Sequence, residues 1–486
     1  MKIVEPDVHV RLADYAGVAH LAAAVDSLRA TADDLVPRLR GRTVWMVNST
    51  ATGGGVAELL PAQIALLREL GVDVNWTVIE TDRPAFFTLT KRIHNMIHGE
   101  SGPDISASER ELYLTVSERN ANALRDLIAP SDVLVIHDPQ PLAVGASLKK
   151  ELGVRAIWRC HIGVEVPKPA ARMAWKFLQP YAATFDQFVF SAREYVPEFL
   201  SSRAHVIHPT IDPLSHKNRE LSLHKLVGIL CDSGLAVAHW PLLAPPFPAV
   251  AQRLQRDGTF APATIPEDIG LLALPIVAQV SRWDRLKGFA PLLEGFRLLK
   301  LCASERPMRD DRHRRRIEAV RLALAGPEPN AIQDDPEALE VLGELRTRYI
   351  ALEPAVQRDV AILALPMRSR KENALMVNAL QRCADLVVQN SLREGFGLTV
   401  AEAMWKRTPV LGSARAFGVR HQVRDRVDGW LVEDPEDAEA LALAMHAMLA
   451  DSDHLEAWGR NAQLRVHSEF LIFSELERWL RLLAAD

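Results

Sequence analysis

A chain of 486 residues exceeds what one hydrophobic core accommodates, since single cores stop growing near about 250–300 residues, so two domains are expected. With 48% hydrophobic and 24% charged residues it can bury a large core, which excludes wholesale disorder and fibrous or low-complexity architecture. The formal net charge of -5 supplies no general attraction to nucleic acid or to an anionic membrane, and neither is expected as a partner.

The first strand-like run covers residues 43–48. A loop, 49–55, follows, and then a helical pattern in which Val56, Leu59, Leu60, Ile64, Leu67 and Leu70 share one face and Gly71 stands where a C-terminal glycine belongs. Further short apolar runs at 74–79, 133–136, 156–158, 188–191 and 205–208 alternate with helical periodicity. This alternation predicts a parallel sheet covered by helices on both faces. Residues 213–274 are rich in proline and weakly periodic, and read as a linker. Within them the longest uncharged stretch, 233–252, carries Pro241, Pro245, Pro246 and Pro248, too many for a membrane-spanning helix. A second alternating series has strands at 276–281, 322–325, 360–365, 386–389, 409–411 and 430–432. The basic run from Arg312 to Arg316, preceded by Asp310 and Asp311, reads as a solvated helix start.

The expected organisation is therefore two doubly wound α/β domains, 1–212 and 275–464, with a final helix at about 465–486 packing back on the first. Cys160, Cys231, Cys302 and Cys383 form no paired framework and no metal-ligand spacing. Together with an N-terminus that lacks a basic region followed by an apolar one, they predict a cytoplasmic protein. A homodimer is a reasonable prior.

In such sheets ligands sit beyond the carboxyl ends of the strands, which directs attention to three loops. In the third, Gly395 and Gly397 let the backbone approach a bulky group before a helix begins near Thr399, where free N–H groups favour a phosphate. Phe396 and Leu398 complete that loop. Glu394 and Glu402 bracket the helix start, and two carboxylates so spaced can accept hydrogen bonds from sugar hydroxyls. Thr399-Val400-Ala401-Glu402 also reads as a capping box, in which the glutamate only folds back on the helix cap. The second loop holds Arg282 and Lys287, the cations that a departing diphosphate needs. They can equally be surface charge, with Asp284 beside them, and Arg285 is expected to face solvent. The first loop holds Gly53, Gly54 and Gly55 between strand and helix, an anion or sugar site on position alone.

His137 and His161 stand at strand ends, where histidines are more often structural than catalytic. No phosphate loop of NTPases, no dinucleotide fingerprint, no serine-hydrolase elbow and no metal motif is present, so no cofactor and no metal are expected.

The ordered set V-N-S-T-A-T-G-G-G-V-A-E from Val47, I-H-D-P-Q-P from Ile136, I-W-R-C-H-I from Ile157, I-D-P-L-S-H-K-N-R-E-L from Ile211, Q-V-S-R-W-D-R-L-K from Gln279, V-N-A-L-Q-R from Val377 and S-L-R-E-G-F-G-L-T-V-A-E-A-M-W-K from Ser391 resembles the trehalose synthases of the glycosyltransferring type. These belong to the large group of retaining glycosyltransferases of GT-B fold, and trehalose phosphorylases share much of the pattern. The resemblance implies two Rossmann-like domains facing a cleft, and transfer of glucose from a nucleoside diphosphate glucose to glucose, giving α,α-trehalose reversibly with the anomeric configuration kept.

It further implies that Arg282 and Lys287 stabilise the diphosphate, Glu394 holds the donor hexose, Glu402 the ribose, and His161 lies by the reacting centre. Gly53, Gly54 and Gly55 would touch phosphate and acceptor, Asp138 and Gln140 would border the acceptor, and the base would lie near Leu365 and Met367. The leaving phosphate itself would deprotonate the acceptor. Rival readings are a trehalose phosphorylase, a nucleotide-sugar transferase with another acceptor, and a non-catalytic sugar-binding protein. Two departures from the family pattern stand out: Gly163 where an aspartate is common after His161-Ile162, and S-A-R-A-F-G from Ser413 in place of a V-G-G-I-like turn. The charged stretch 306–316 reads as a surface insertion.

Overall fold

Val44, Trp45, Met46 and Val47 are all buried, which requires cover on both faces, and a parallel strand between two helical layers supplies it. The computed structural model describes residues 1–8, 10–51, 55–238, 246–265, 267–329 and 336–485. The chain divides into one unit made of Met1–Thr210 with Glu469–Asp486 and a second made of Ile211–Ser468.

In the first unit the strands are β1 (Lys2–Val4), β2 (Val44–Asn48), β3 (Val74–Val78), β4 (Val133–His137), β5 (Arg155–Cys160), β6 (Gln187–Phe190) and β7 (Ala204–Val206). Their order is β1-β3-β2-β4-β5-β6-β7. Only β1 runs antiparallel, with Lys2 opposite Val78, while Val44 of β2 faces Val74 on one side and Val133 on the other in parallel register. Strand order reverses between β2 and β4, and ligands of doubly wound sheets bind beside such a switch point. The loops after β2, β4 and the adjacent β5 are therefore the ones to inspect.

The second unit contains β8 (Gln252–Leu254), β9 (Phe260–Pro262), β10 (Ile276–Val280), β11 (Arg321–Pro327), β12 (Val360–Leu365), β13 (Leu386–Gln389), β14 (Val410–Ser413) and β15 (Gly429–Val432). Their order is β15-β14-β13-β10-β11-β12-β8-β9. Here the reversal lies between β10 and β13, so the loops at 281–288 and 390–397 flank the switch. Alternate residues serve two cores: Val277, Leu322, Leu324, Val360 and Ile362 pack on one face, and Ile276, Ala278, Ala323, Ala361 and Leu363 on the other.

The described residues of 213–274 belong to the second unit and do not form a separate linker. Their described part folds into the second unit as the Leu223–Asp232 helix and the antiparallel strands β8 and β9 beyond β12. Ile229, Leu230, Leu235, Ala251, Ile269 and Leu271 join the core on that side. The pattern escapes a period search because these strands have three residues each and alternate with turns. The basic run does open a helix, Asp311–Ala319, whose cap Asp310 accepts from the His313 N–H at 2.8 Å. The stretch around it is tied down rather than loose: Arg306 pairs with Glu439 at 2.8 Å and Arg316 with Asp385 at 2.6 Å. Among the described residues no helix is long and apolar enough to cross a membrane.

Candidate functional site

In the second unit the loop after β10 is anchored by Trp283, fully buried, whose Nε1 donates to the Pro327 carbonyl at 2.7 Å. Its neighbours point elsewhere. Arg282 is 63% exposed, with Asp284 at 3.8 Å. Arg285 faces solvent as expected and pairs with Glu340 at 2.9 Å. Asp284 caps the short turn Arg285–Lys287 by accepting from the Leu286 N–H at 2.8 Å. Gly288 closes it in the left-handed region, with φ 61°, and any Cβ there would lie 2.1 Å from the Asn390 carbonyl oxygen. Both features demand glycine.

The close approach brings the two switch-point loops together. Gln279, fully buried, donates to the Lys287 carbonyl at 2.8 Å and accepts from the Asn390 N–H at 3.2 Å. Asn390 Nδ2 donates to the carbonyls of Gly288 (3.0 Å) and Pro435 (2.8 Å). This amide clamp escapes the sequence reading, although a glutamine inside an apolar strand is a readable signal. Through it Lys287 Nζ meets Glu394 Oε2 in an ion pair whose two side chains are each 14% exposed. The same oxygen accepts from Gln389 Nε2 and Ser391 Oγ, both at 3.2 Å. Lys287 and Glu394, predicted separately from different loops, thus form one pinned group.

Gly397, with φ 79°, leads directly into the Leu398–Trp405 helix and serves as its cap. A Cβ on it would sit 2.8 Å from Glu394 Cγ, so its bareness lets the carboxylate lie against the helix start. This overturns the capping-box reading: the helix begins before Thr399, and Glu402 falls in its second turn rather than its first. Glu402 is buried, with Lys217 Nζ at 3.9 Å. Lys406 donates to the Glu402 carbonyl at 2.9 Å and to Asn218 at 3.2 Å, and burial draws its pKa down to about 7. The divergent S-A-R-A-F-G segment packs on the same loop: Gly418 N–H donates to the Glu394 carbonyl at 3.1 Å, and a Cβ on Gly418 would meet Phe396 Cα at 2.5 Å. Leu365 ends β12, and beyond it Met367 N–H donates to Glu328 Oε1 at 3.0 Å, a carboxylate the sequence reading passed over.

In the first unit Gly53 and Gly54 lie outside the described residues, and Gly55 opens the Gly55–Glu69 helix. Asn48 shapes the start of that loop, accepting from Ser49 N–H at 2.7 Å and donating to the Thr50 carbonyl at 2.9 Å. After β4, Asp138 is a non-glycine residue at φ 64°, a conformation costing on the order of 1–3 kcal/mol and found where the surroundings over-determine it. Its carboxylate accepts from His161 N–H at 2.8 Å, which joins the ends of β4 and β5. Gln140 follows in the same loop, half-buried.

His137 Nδ1 and His161 Nε2 stand 3.1 Å apart, so one donates and the other accepts. Burial, with Arg159 nearby, holds His137 down at about 3 and His161 well below its ordinary value, and both rings are neutral near pH 7. Burial drives the Asp138 carboxyl up to about 6 against the opposing pull of the His161 N–H and Arg159. Neutral imidazoles beside a carboxylate can bind hydroxyls and take part in proton exchange. Gly163 is packed against Tyr195: a Cβ there would lie 2.3 Å from Tyr195 Cβ, so this loop has no room for the aspartate common at that position.

Two family descriptions match the chain, "Trehalose synthase, N-terminal domain" over residues 46–197 and "Glycosyl transferases group 1" over residues 272–465. The chain is 33% identical over 479 residues to a trehalose synthase of Thermococcus litoralis, covering 97% of this chain and 96% of the relative. It is 25% identical over 501 residues to a trehalose phosphorylase of Grifola frondosa, covering 96% of this chain and 62% of that one. Among solved structures it is similar to an α,α-trehalose-phosphate synthase (UDP-forming) from Burkholderia xenovorans in complex with glucose-6-phosphate. That likeness has a TM-score of 0.63 at 15% identity and covers 92% of this chain and 100% of the other. It is a likeness of fold, and with the two doubly wound sheets it makes the fold GT-B.

Proposed function

The chain belongs to the trehalose synthase family of glycosyltransferases, and from that premise we propose that it moves glucose from a nucleoside diphosphate glucose to glucose, forming α,α-trehalose reversibly with retention at the anomeric carbon. The observation that carries this reading is the pinned Lys287–Glu394 pair at the switch point of the second sheet. An ammonium and a carboxylate side by side suit a ligand that presents a diphosphate next to a hexose.

In this reading the bond between the glucose anomeric carbon and the diphosphate oxygen breaks, and Lys287 and Arg282 receive the charge that develops on the leaving group. The new bond to the acceptor hydroxyl forms on the same face, and the hydroxyl proton passes to the departing phosphate oxygen. Glu394 holds the donor hexose, and the start of the Leu398–Trp405 helix, with Gly395, Phe396, Gly397, Leu398 and Thr399, directs its dipole at phosphate. Glu402 takes the ribose, and Leu365 and Met367 border the base. Asp138 and Gln140 bind acceptor hydroxyls, with His161 by the reacting carbon and Gly53, Gly54 and Gly55 near phosphate and acceptor.

A phosphorylase is the second reading, favoured by the likeness to the Grifola frondosa enzyme. Trehalose is incubated with phosphate in one arm and with a nucleoside diphosphate in the other. The proposal expects nucleotide sugar in the second arm and no glucose 1-phosphate in the first. The reverse outcome assigns the phosphorylase instead. Gly163, packed against Tyr195 where an aspartate is common, motivates the alternative of the same donor with another acceptor.

A further inference from the structure

Two of the sequence segments that carry the family resemblance, I-D-P-L-S-H-K-N-R-E-L from Ile211 and V-N-A-L-Q-R from Val377, supply no residue to the chemistry above. Both lie in the second unit, which begins with the first of them. The fold joins them side by side. Asn378, fully buried in the Arg370–Cys383 helix, donates through Nδ2 to the His216 and Arg219 carbonyls, both at 3.0 Å. Four residues on, and so on the same helix face, Arg382 donates to the Arg219 carbonyl at 3.1 Å and pairs with Glu220 at 3.1 Å. Its Nε donates to Asn378 Oδ1 at 2.9 Å, which locks the two side chains together. Inside the first segment Asn218 Nδ2 donates to the Asp212 carbonyl at 3.0 Å and the Arg219 N–H to the Ser215 carbonyl at 2.8 Å. The chain is thereby held on both sides of Lys217.

A third segment reaches the same place from the donor loop. Lys406 follows the Leu398–Trp405 helix and donates to the Glu402 carbonyl at 2.9 Å, one of the carbonyls that a helix end leaves without an internal partner. The same ammonium donates to Asn218 Oδ1 at 3.2 Å. Asn218 therefore ties the strap to the turn that carries Glu402. The Glu402 side chain is 8% exposed and that of Lys217 38%, with 3.9 Å between Oε1 and Nζ. Among the described residues Lys217 is the one cation within ion-pair distance of this carboxylate, and a carboxylate so far out of water needs a counter-charge. No hydrogen bond from the described residues engages the Glu402 carboxylate, so its lone pairs are open to ligand hydroxyls.

We propose that Lys217 is a positioning residue of the donor site: the strap built by Asn378, Arg382 and Lys406 holds its ammonium beside Glu402 and so turns that carboxylate toward the ribose hydroxyls of the nucleotide. This rests on the reading of Glu402 as the ribose ligand. An ammonium on one side of a carboxylate restricts its rotation and leaves the remaining lone pairs for a pair of neighbouring hydroxyls. Lys217 thus acts on the ribose through Glu402, and the segment at the start of the second unit becomes part of the donor site.

The test is calorimetric binding to the full chain, comparing the tightest-binding of ADP, GDP and UDP with its dideoxyribose counterpart. The parent is expected to prefer the ribose form by about tenfold or more. Lys217→Met and Glu402→Gln each remove most of that preference, and the double variant removes no more than either alone. Lys217→Arg keeps a cation and restores the preference. The side chain is 38% exposed, so the thermal midpoint of Lys217→Met stays with the parent. Equal loss of affinity for the ribose and dideoxyribose forms in Lys217→Met places the lysine on the diphosphate instead, and an undiminished ribose preference leaves it a surface charge. Either result overturns the proposal. Glu402→Gln separates the two layers: a full ribose preference there removes the ribose reading of Glu402, whereas its loss there without loss in Lys217→Met removes only the positioning role.

Discussion

Lys287 and Glu394 show how much a single pair can carry. Glu394 keeps two further donors, Gln389 and Ser391, when the ammonium is removed, so Lys287→Ala should cost about 1–3 kcal/mol of stability. The same change removes a donor aimed at the leaving diphosphate and should slow transfer by about 10²–10³-fold. Steady-state kinetics beside urea unfolding measure both, and a rate loss no larger than the stability loss would return Lys287 to a structural role. Asp138 supplies a second test at this scale. With its carboxyl at about 6, acceptor binding that needs the ionised form should fade as pH falls through 6, and the acceptor KM measured across that range should rise while the donor KM stays level. An acceptor KM that is flat through pH 6 would show that the ionised form is not needed.

At the scale of elements, the loops work because glycine permits contacts that any side chain would block. Gly288 sits in the left-handed region with the Asn390 carbonyl at its back. Gly288→Ala should lower the unfolding free energy by about 2 kcal/mol or more and separate Lys287 from Glu394. A denaturant midpoint matching the parent would contradict that geometry. Gly163→Asp should be poorly tolerated alone, by a loss of thermal stability, and better tolerated with Tyr195→Gly, since Tyr195 occupies the space. The same elements explain what could be read in advance. The central strands were legible because β12 is apolar throughout and β4 is apolar up to His137, which only a doubly covered strand requires. Strands β1, β8 and β9 were not, being three-residue antiparallel strands at the margins of their sheets with little pattern. The start of the Glu402 helix was misplaced because a left-handed Gly397 began it before the apparent cap Thr399.

Each sheet reverses its strand order, between β2 and β4 in the first and between β10 and β13 in the second, and Arg282, Lys287 and Glu394 follow the strands that flank the second reversal. Burial in the first unit has a consequence for its stability. His94 and His137 titrate near about 3 and His161 well below its ordinary value of 6.5. Between their folded and unfolded values the unfolded chain binds the protons, so stability falls as pH drops below 6.5. Asp138 and Glu475 oppose this, since burial raises both carboxyls in the folded state, Asp138 from 3.8 to about 6, and so favours folding at lower pH. Three imidazoles outweigh two carboxyls, and thermal melts should show the midpoint dropping between about pH 7 and about pH 5. A midpoint that rises over that interval would contradict the buried neutral histidines. The most direct measurement of the central claim is NMR identification of the product formed from nucleoside diphosphate glucose and glucose. The account predicts α,α-trehalose with equimolar release of nucleoside diphosphate, abolished by Arg282→Ala together with Lys287→Ala. A product with an inverted anomeric centre, or trehalose formed only from glucose 1-phosphate, would contradict it.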